Sequence, residues 1–128
     1  MKCELISVGD ELLIGQTINT NASWLGEQLN NLGFTIAHGL VISDQKKDIV
    51  NALNQAENRS DIVLITGGLG PTNDDITKHT LAEYFNTTLE LDKEIEQNII
   101  DYFTNRNLPI LQTNKDQALI PKACQVLP

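Results

Sequence analysis

A chain of 128 residues, 41% of them hydrophobic, can bury an apolar core without disulfide staples and is too apolar to be a disordered segment. Seventeen acidic residues against nine basic ones leave a net charge of −8, which argues against non-specific nucleic-acid or anionic-membrane binding, since both need positive patches. A chain this acidic can hold phosphate only through backbone N–H groups, a metal ion or a few local cations.

Cys3 and Cys124 stand far apart and match no metal-binding or Cys-x-x-Cys spacing, so both are expected as reduced thiols in the cytoplasm. No apolar run approaches the roughly 20 residues that span a bilayer, and MKCELISVGD turns polar too early for a signal peptide. The chain is expected to form one domain over residues 1–128. The apolar ending QVLP suggests continuation beyond Pro128, so that this domain would be truncated at its C-terminal end.

The elements follow in order. CELISVGD, with Leu5, Ile6 and Val8, predicts a short buried strand ending in Gly-Asp. After the loop DELLIGQTINTN, the residues Ala22, Leu25, Leu29 and Leu32 form one helical stripe, with Asn21 as N-cap and Gly33 just past the end. Gly26 inside this helix is expected where the helix packs closely on a sheet. FTIAHGLVIS predicts a second strand, carrying His38. Ser43-Asp44 opens a helix with Ile49, Ala52, Leu53 and Ala56 on its apolar face. DIVLIT predicts a third strand, whose four consecutive apolar residues suit a sheet covered on both faces.

A glycine loop comes next, then a helix from about Asp75 to Phe85 that carries His79 on a partly solvated face. A further helix places Ile95, Ile99, Tyr102 and Phe103 together. From Leu108 the chain is loop-like, with short strands expected near 118–120 and 125–127. The βαβαβα order predicts a mostly parallel, doubly wound α/β sheet with helices on both faces. Ligands of such sheets lie at the carboxyl ends of the strands. Here the loops 9–21, 43–46 and 66–75 leave those ends.

The most informative of these loops is LITGGLGPTNDDIT, residues 64–77. Gly67, Gly68 and Gly70 lack a Cβ and let backbone N–H groups approach an anion, while the following helix offers its positive end. The spacing is neither a P-loop nor a dinucleotide fingerprint. The ordinary alternative is a glycine-rich turn in which Thr72 and Asp75 form a capping-box-like pair. Asp74 and Asp75 would repel a bare phosphate, and they make sense beside one if a cation lies between them. Asp10 and Glu11 end the first strand. Asn19, Thr20, Asn21 and Ser23 can either cap the next helix or hydrogen-bond a sugar or base. Asp44 follows the second strand, where capping is again the ordinary role.

The strings ISVGDELLIGQTINTNASWLGEQLNNLGF, VISDQKKDI and ITGGLGPTNDDIT resemble the N-terminal domain of the competence/damage-inducible CinA proteins, within the wider molybdopterin-binding (MogA/MoeA-like) superfamily. The resemblance runs through nearly the whole chain. It implies a three-layer α/β/α fold, a homo-oligomer, and a phosphorylated nucleotide or pterin at the strand ends. By the same resemblance Asp44 and Asp75 match the two aspartates linked to catalysis in the molybdenum-cofactor enzymes, and the glycine loop binds the ligand's phosphate. Gly67, Gly68, Gly70, Thr72 and Asn21 are the binding candidates, and Asp10 and Asp74 are the metal candidates. The implied activity is cation-dependent hydrolysis of a nucleotide pyrophosphate such as ADP-ribose, with a divalent cation such as Mg²⁺, and also K⁺, as cofactor. A binding or assembly domain without turnover is the alternative. The nicotinamide mononucleotide deamidase domain that often follows in such proteins is not in this sequence. Asn73 stands where relatives often carry Pro or Arg, which by the resemblance implies one altered substrate contact.

Overall fold

The computed structural model describes residues 1–70 and 76–128, which form two compact units, Met1–Leu69 and Gly70–Pro128. In the first unit the order is β1 (Lys2–Val8), α1 (Asp10–Leu13), α2 (Thr20–Asn31), β2 (Thr35–Ile42), α3 (Lys46–Arg59) and β3 (Ile62–Gly67). The three strands are parallel in the order β2-β1-β3. The β1→β2 and β2→β3 connections run in opposite directions across the sheet. Right-handed crossovers therefore put α2 and α3 on opposite faces, giving three layers.

The centre of that sheet is β1. Residues 3–8 are all buried, because neighbours lie on both sides and helices on both faces. Leu5 and Ser7 meet α2, whereas Glu4 meets the end of α3. β3 pairs with β1 on one side of the described sheet. Its residues 62–66 are half-buried, while the central β1 is the most deeply buried of the three strands.

Helix α3 buries Ile49, Ala52, Leu53 and Ala56, the face predicted from their spacing. Helix α2 starts one residue before the expected N-cap. Its cap is Asn19, whose Oδ1 accepts from Ala22 N–H at 3.2 Å, and Asn21 lies in the first turn. It ends in a Schellman motif, with Phe34 N–H donating to Leu29 O and Gly33 N–H to Asn30 O, both at 3.0 Å. Gly33 takes φ +88° there, a value that glycine adopts at little cost. Leu32, counted in the apolar stripe, is 73% exposed at the helix end. A Cβ on Gly26 would meet Leu5 Cδ1 at 4.0 Å, so this glycine is not required by close packing.

The second unit contains α4 (Ile76–Tyr84), β4 (Leu89–Leu91), α5 (Lys93–Asn105), α6 (Gln112–Lys115) and β5 (Leu119–Pro121). The strands β4 and β5 pair antiparallel. Sequence patterning missed β4, a three-residue strand whose existence depends on its partner. Residues 125–127 form no strand. Asp92 caps α5, its Oδ1 accepting from Ile95 N–H at 3.0 Å. On α5, Ile95, Ile99 and Phe103 are half-buried, while Tyr102 is exposed with the Arg106 guanidinium 3.8 Å from its ring centre. No helix among the described residues is long and apolar enough to cross a membrane.

Candidate functional site

Register brings the three strand ends of the first unit to one edge. Val8 pairs with Ile42 on one side and with Gly67 on the other. Gly9 N–H donates to Ile42 O at 3.0 Å, so the chain leaving β1 is held against β2 before it turns into α1. Asp10 is the first residue of α1, and Asp44 stands two residues past the end of β2. The two aspartates are tied together: Asp44 N–H donates to Asp10 Oδ1 at 3.4 Å. The predicted convergence of Asp10, Asp44 and the start of the glycine loop is thus present within this unit.

Gly67 has a packing reason to be glycine. Its φ is +87°, and an added Cβ would lie 2.1 Å from Val8 O, the carbonyl of its strand partner. Gly68 follows at φ +65°. The strand thus ends in two successive residues at positive φ. Gly70 is half-buried at the start of the second unit. Thr72, Asn73, Asp74 and Asp75 lie outside the described residues.

Asp44 does not cap α3, which corrects the ordinary expectation for an aspartate at that position. The N-cap is Gln45, and it makes no side-chain cap bond. Ser43, two residues further out, bridges the N-cap residue and the first turn instead. Its hydroxyl accepts from Gln45 N–H at 3.2 Å and donates to Asp48 Oδ2 in a short hydrogen bond. Among the described residues the half-buried Asp44 carboxylate accepts one bond, from the Gln45 side-chain amide at 3.4 Å, the same length as the bond from its N–H to Asp10. Ser43 and Asp48 also line a groove of about 340 Å³ beside β2, together with Leu13, Val41, Asn51 and Gln55.

Asn19 secures the loop after β1. Its Nδ2 donates to the buried Ser7 Oγ at 2.9 Å while its Oδ1 caps α2. Asn21 is exposed in the first turn of α2. Sequence reasoning passed over Ser7 and Asp48, and it named Ser43 only as the residue that opens α3 beside Asp44. For Ser43 and Asp48 a signal existed, a serine before the helix with an acid in its first turn, but Asp44 was the more obvious cap.

Among the described residues no group of three or more His, Cys, Asp and Glu side chains is arranged to hold a metal. Asp10 and Asp44 are hard oxygen donors at neighbouring strand ends. One or two carboxylates completed by phosphate oxygens are the usual ligands of Mg²⁺, so the donor chemistry fits a cation that arrives with a phosphorylated ligand. At the opposite end of the sheet lies a different charged cluster. Glu4 is fully buried and receives Arg59 Nη2 at 2.6 Å, Arg59 Nε at 3.0 Å and Ser60 Oγ at 3.0 Å. The Arg59 hydrogen bonds, against the opposing effect of burial, hold the Glu4 carboxyl below its usual value, with Ser60 and His38 helping.

A parallel α/β unit with acids and paired glycines at its strand ends is the pattern of a small-molecule-binding domain. The chain belongs to the probable molybdopterin binding domain family, whose model matches residues 4–123. It is 48% identical to a CinA-like protein of Flavobacterium psychrophilum, covering 99% of this chain and 31% of that protein. The chain thus spans about a third of the length of the curated relatives it matches. It also superposes on the structure of CinA, a protein described as of unknown function, from Thermoplasma acidophilum. The TM-score is 0.82 at 34% identity, covering 97% of this chain and 72% of that one. The molybdopterin biosynthesis enzyme MoaB of Thermus thermophilus shares the fold, with a TM-score of 0.61 at 19% identity, covering 94% of this chain and 78% of that one.

Proposed function

We propose that the strand-end site binds a phosphorylated nucleotide or pterin and hydrolyses a nucleotide pyrophosphate such as ADP-ribose with the help of a cation. The observation that carries this reading is the tie between Asp10 and Asp44, two acids side by side at the end of a parallel sheet, with neither spent on capping α3. Two carboxylates at one ligand-binding edge repel a pyrophosphate unless a cation intervenes. Asp10, with Asp74, would hold a divalent cation such as Mg²⁺, with K⁺ as a second cation, and the bound ion would neutralise phosphate charge.

Asp44 then accepts a proton from the attacking water, with Asp75 as the second catalytic candidate from its match to the family motif. The oxygen of that water forms a new bond to one phosphorus. The bond from that phosphorus to the bridging oxygen breaks, and the bridging oxygen leaves on the other phosphate. ADP-ribose would give AMP and ribose 5-phosphate. Gly68, Gly70, Thr72 and Asn21 are the proposed contacts to phosphate and nucleotide, and Gly67 shapes the turn.

A second reading, binding without turnover, is favoured by the family's description as a molybdopterin binding domain. The deciding experiment measures AMP release from ADP-ribose with Mg²⁺, with K⁺ and with chelator, in the wild type, Asp44→Asn and Asp75→Asn. The hydrolase reading expects cation-dependent release that falls by about 10² or more in both variants while the melting temperature hardly moves. Tight ADP-ribose binding with no release under any cation would leave the binding reading standing alone.

We also propose that the chain self-associates and works in the cytoplasm. Ile14, Ile18 and Trp24, exposed at 76%, 82% and 61%, support the first, and the two unpaired cysteines support the second. Sedimentation equilibrium tests the first: a monomer at all concentrations would end it.

A further inference from the structure

We propose that Ser43 and Asp48 are positioning residues that keep the Asp44 carboxylate out of helix capping and available at the strand-end site. The catalytic consequence rests on the hydrolase reading above, whereas the geometric claim does not.

In an ordinary capping box the N-cap side chain accepts from the N3 backbone N–H, and the N3 acid reaches back to the N-cap N–H. In α3 both halves are displaced. The N-cap, Gln45, contributes no side-chain bond. Asp48, at N3, takes the Ser43 hydroxyl proton instead, and the Ser43 oxygen takes Gln45 N–H at 3.2 Å. Asp48 N–H donates to Gln45 O at 3.0 Å. The turn from β2 into α3 is thereby closed around Asp44 without using its carboxylate, and Asp44 N–H is turned to Asp10.

The relay also bears on Ser43 itself. Its hydroxyl donates to Asp48 and accepts from Gln45 N–H, so one side chain bridges the N-cap and the N3 residue of α3. Without the hydroxyl, Gln45 N–H and Asp48 each lose a partner at the start of α3, and the adjacent Asp44 carboxylate is an acceptor of a good capping type for that end of the helix. The helix would recover a cap, and the site would lose an acid. The expected signature is therefore a loss of activity larger than the loss of stability, the reverse of what a purely structural serine would show.

The test uses Ser43→Ala, Ser43→Thr and Asp48→Asn, with two readouts. The first, independent of any ligand, is the crystal structure of each variant. In Ser43→Ala the Asp44 carboxylate is expected to accept from the first turn of α3 and its N–H to leave Asp10. In Ser43→Thr, which keeps the hydroxyl, both are expected as in the wild type. The second is AMP release from ADP-ribose with Mg²⁺. Ser43→Ala should lose about tenfold or more in kcat, the equivalent of one hydrogen bond to a charged group, with KM within about twofold. Ser43→Thr should restore it, and Asp48→Asn should fall between.

An unmoved Asp44 in Ser43→Ala overturns the proposal, and so does a kcat loss that Thr fails to restore. If Ser43→Ala does not fold, the same comparison is made between Asp48→Asn and the wild type, and an unmoved Asp44 is again decisive. If the wild type releases no AMP, the hydrolase reading fails by itself, and the crystal structures still decide whether the relay holds Asp44.

Discussion

Asp10 Oδ1 accepts the backbone N–H of Asp44 at 3.4 Å, so the acid at the end of β1 fixes the loop that carries the acid at the end of β2. Asp10 thus has a structural duty and, in the proposed site, an electrostatic one. Asn keeps an acceptor oxygen and removes the charge, so Asp10→Asn separates them. ADP-ribose affinity in Mg²⁺ should fall by about tenfold or more, while affinity in chelator should not fall, because a like charge has been removed. Titration calorimetry under the two conditions reads both. Equal affinities in Mg²⁺ would confine Asp10 to holding the loop.

The paired glycines at the end of β3 should answer differently to substitution. Gly67→Ala places a Cβ 2.1 Å from Val8 O at φ +87° and is expected to unfold the unit or cost several kcal/mol. Gly68→Asn meets φ +65°, which Asn tolerates, and should cost only about 1 kcal/mol in urea denaturation. If Gly68 faces the ligand, ADP-ribose binding should still be lost in that folded variant. Gly68→Val is a poorer probe, since a β-branched residue at this φ is a backbone outlier.

The Glu4–Arg59 pair predicts an acid-sensitive stability. The folded Glu4 carboxyl lies below its ordinary value of 4.5, chiefly through its Arg59 hydrogen bonds. Its contribution is therefore complete above that value and is lost as the pH falls through the lowered one. Removing Arg59 leaves burial as the largest remaining influence, and burial raises the carboxyl's pKa. Arg59→Met should accordingly lose the larger part of that acid-sensitive contribution, with Ser60 and His38 still opposing burial. An unpaired buried Glu4 carboxylate costs roughly 3 kcal/mol or more, and the double variant Glu4→Leu/Arg59→Met should recover much of it. Thermal unfolding between about pH 4 and pH 7 checks all three variants.

Gly26 offers a simple gain. It lies inside α2, and a methyl group there meets only Leu5 Cδ1, at 4.0 Å. Gly26→Ala should stabilise the unit by about 0.5–1 kcal/mol through helix propensity. It should leave the strand-end chemistry unchanged, since the residue lies two turns into the helix. A fall in the melting temperature would mean that the packing of α2 against Leu5 needs the glycine.

By itself the sequence determined the local features of the first unit. The apolar run of β1, the period of Ile49, Ala52, Leu53 and Ala56, and the Gly33 helix stop all depend on neighbours a few residues away, and all three were predicted. The motif strings were also enough to place the chain in its family. Tertiary structure decided the matters that depend on distant partners. It made β1 the central strand, buried Glu4 against Arg59 across 55 residues, and paired Gly67 with Val8 so closely that no side chain fits. It also released Asp44 from capping, because the Ser43 hydroxyl reached Gln45 and Asp48 first. A sequence shows which residues are able to cap, but the acceptor that wins is decided by where the end of β2 delivers the chain.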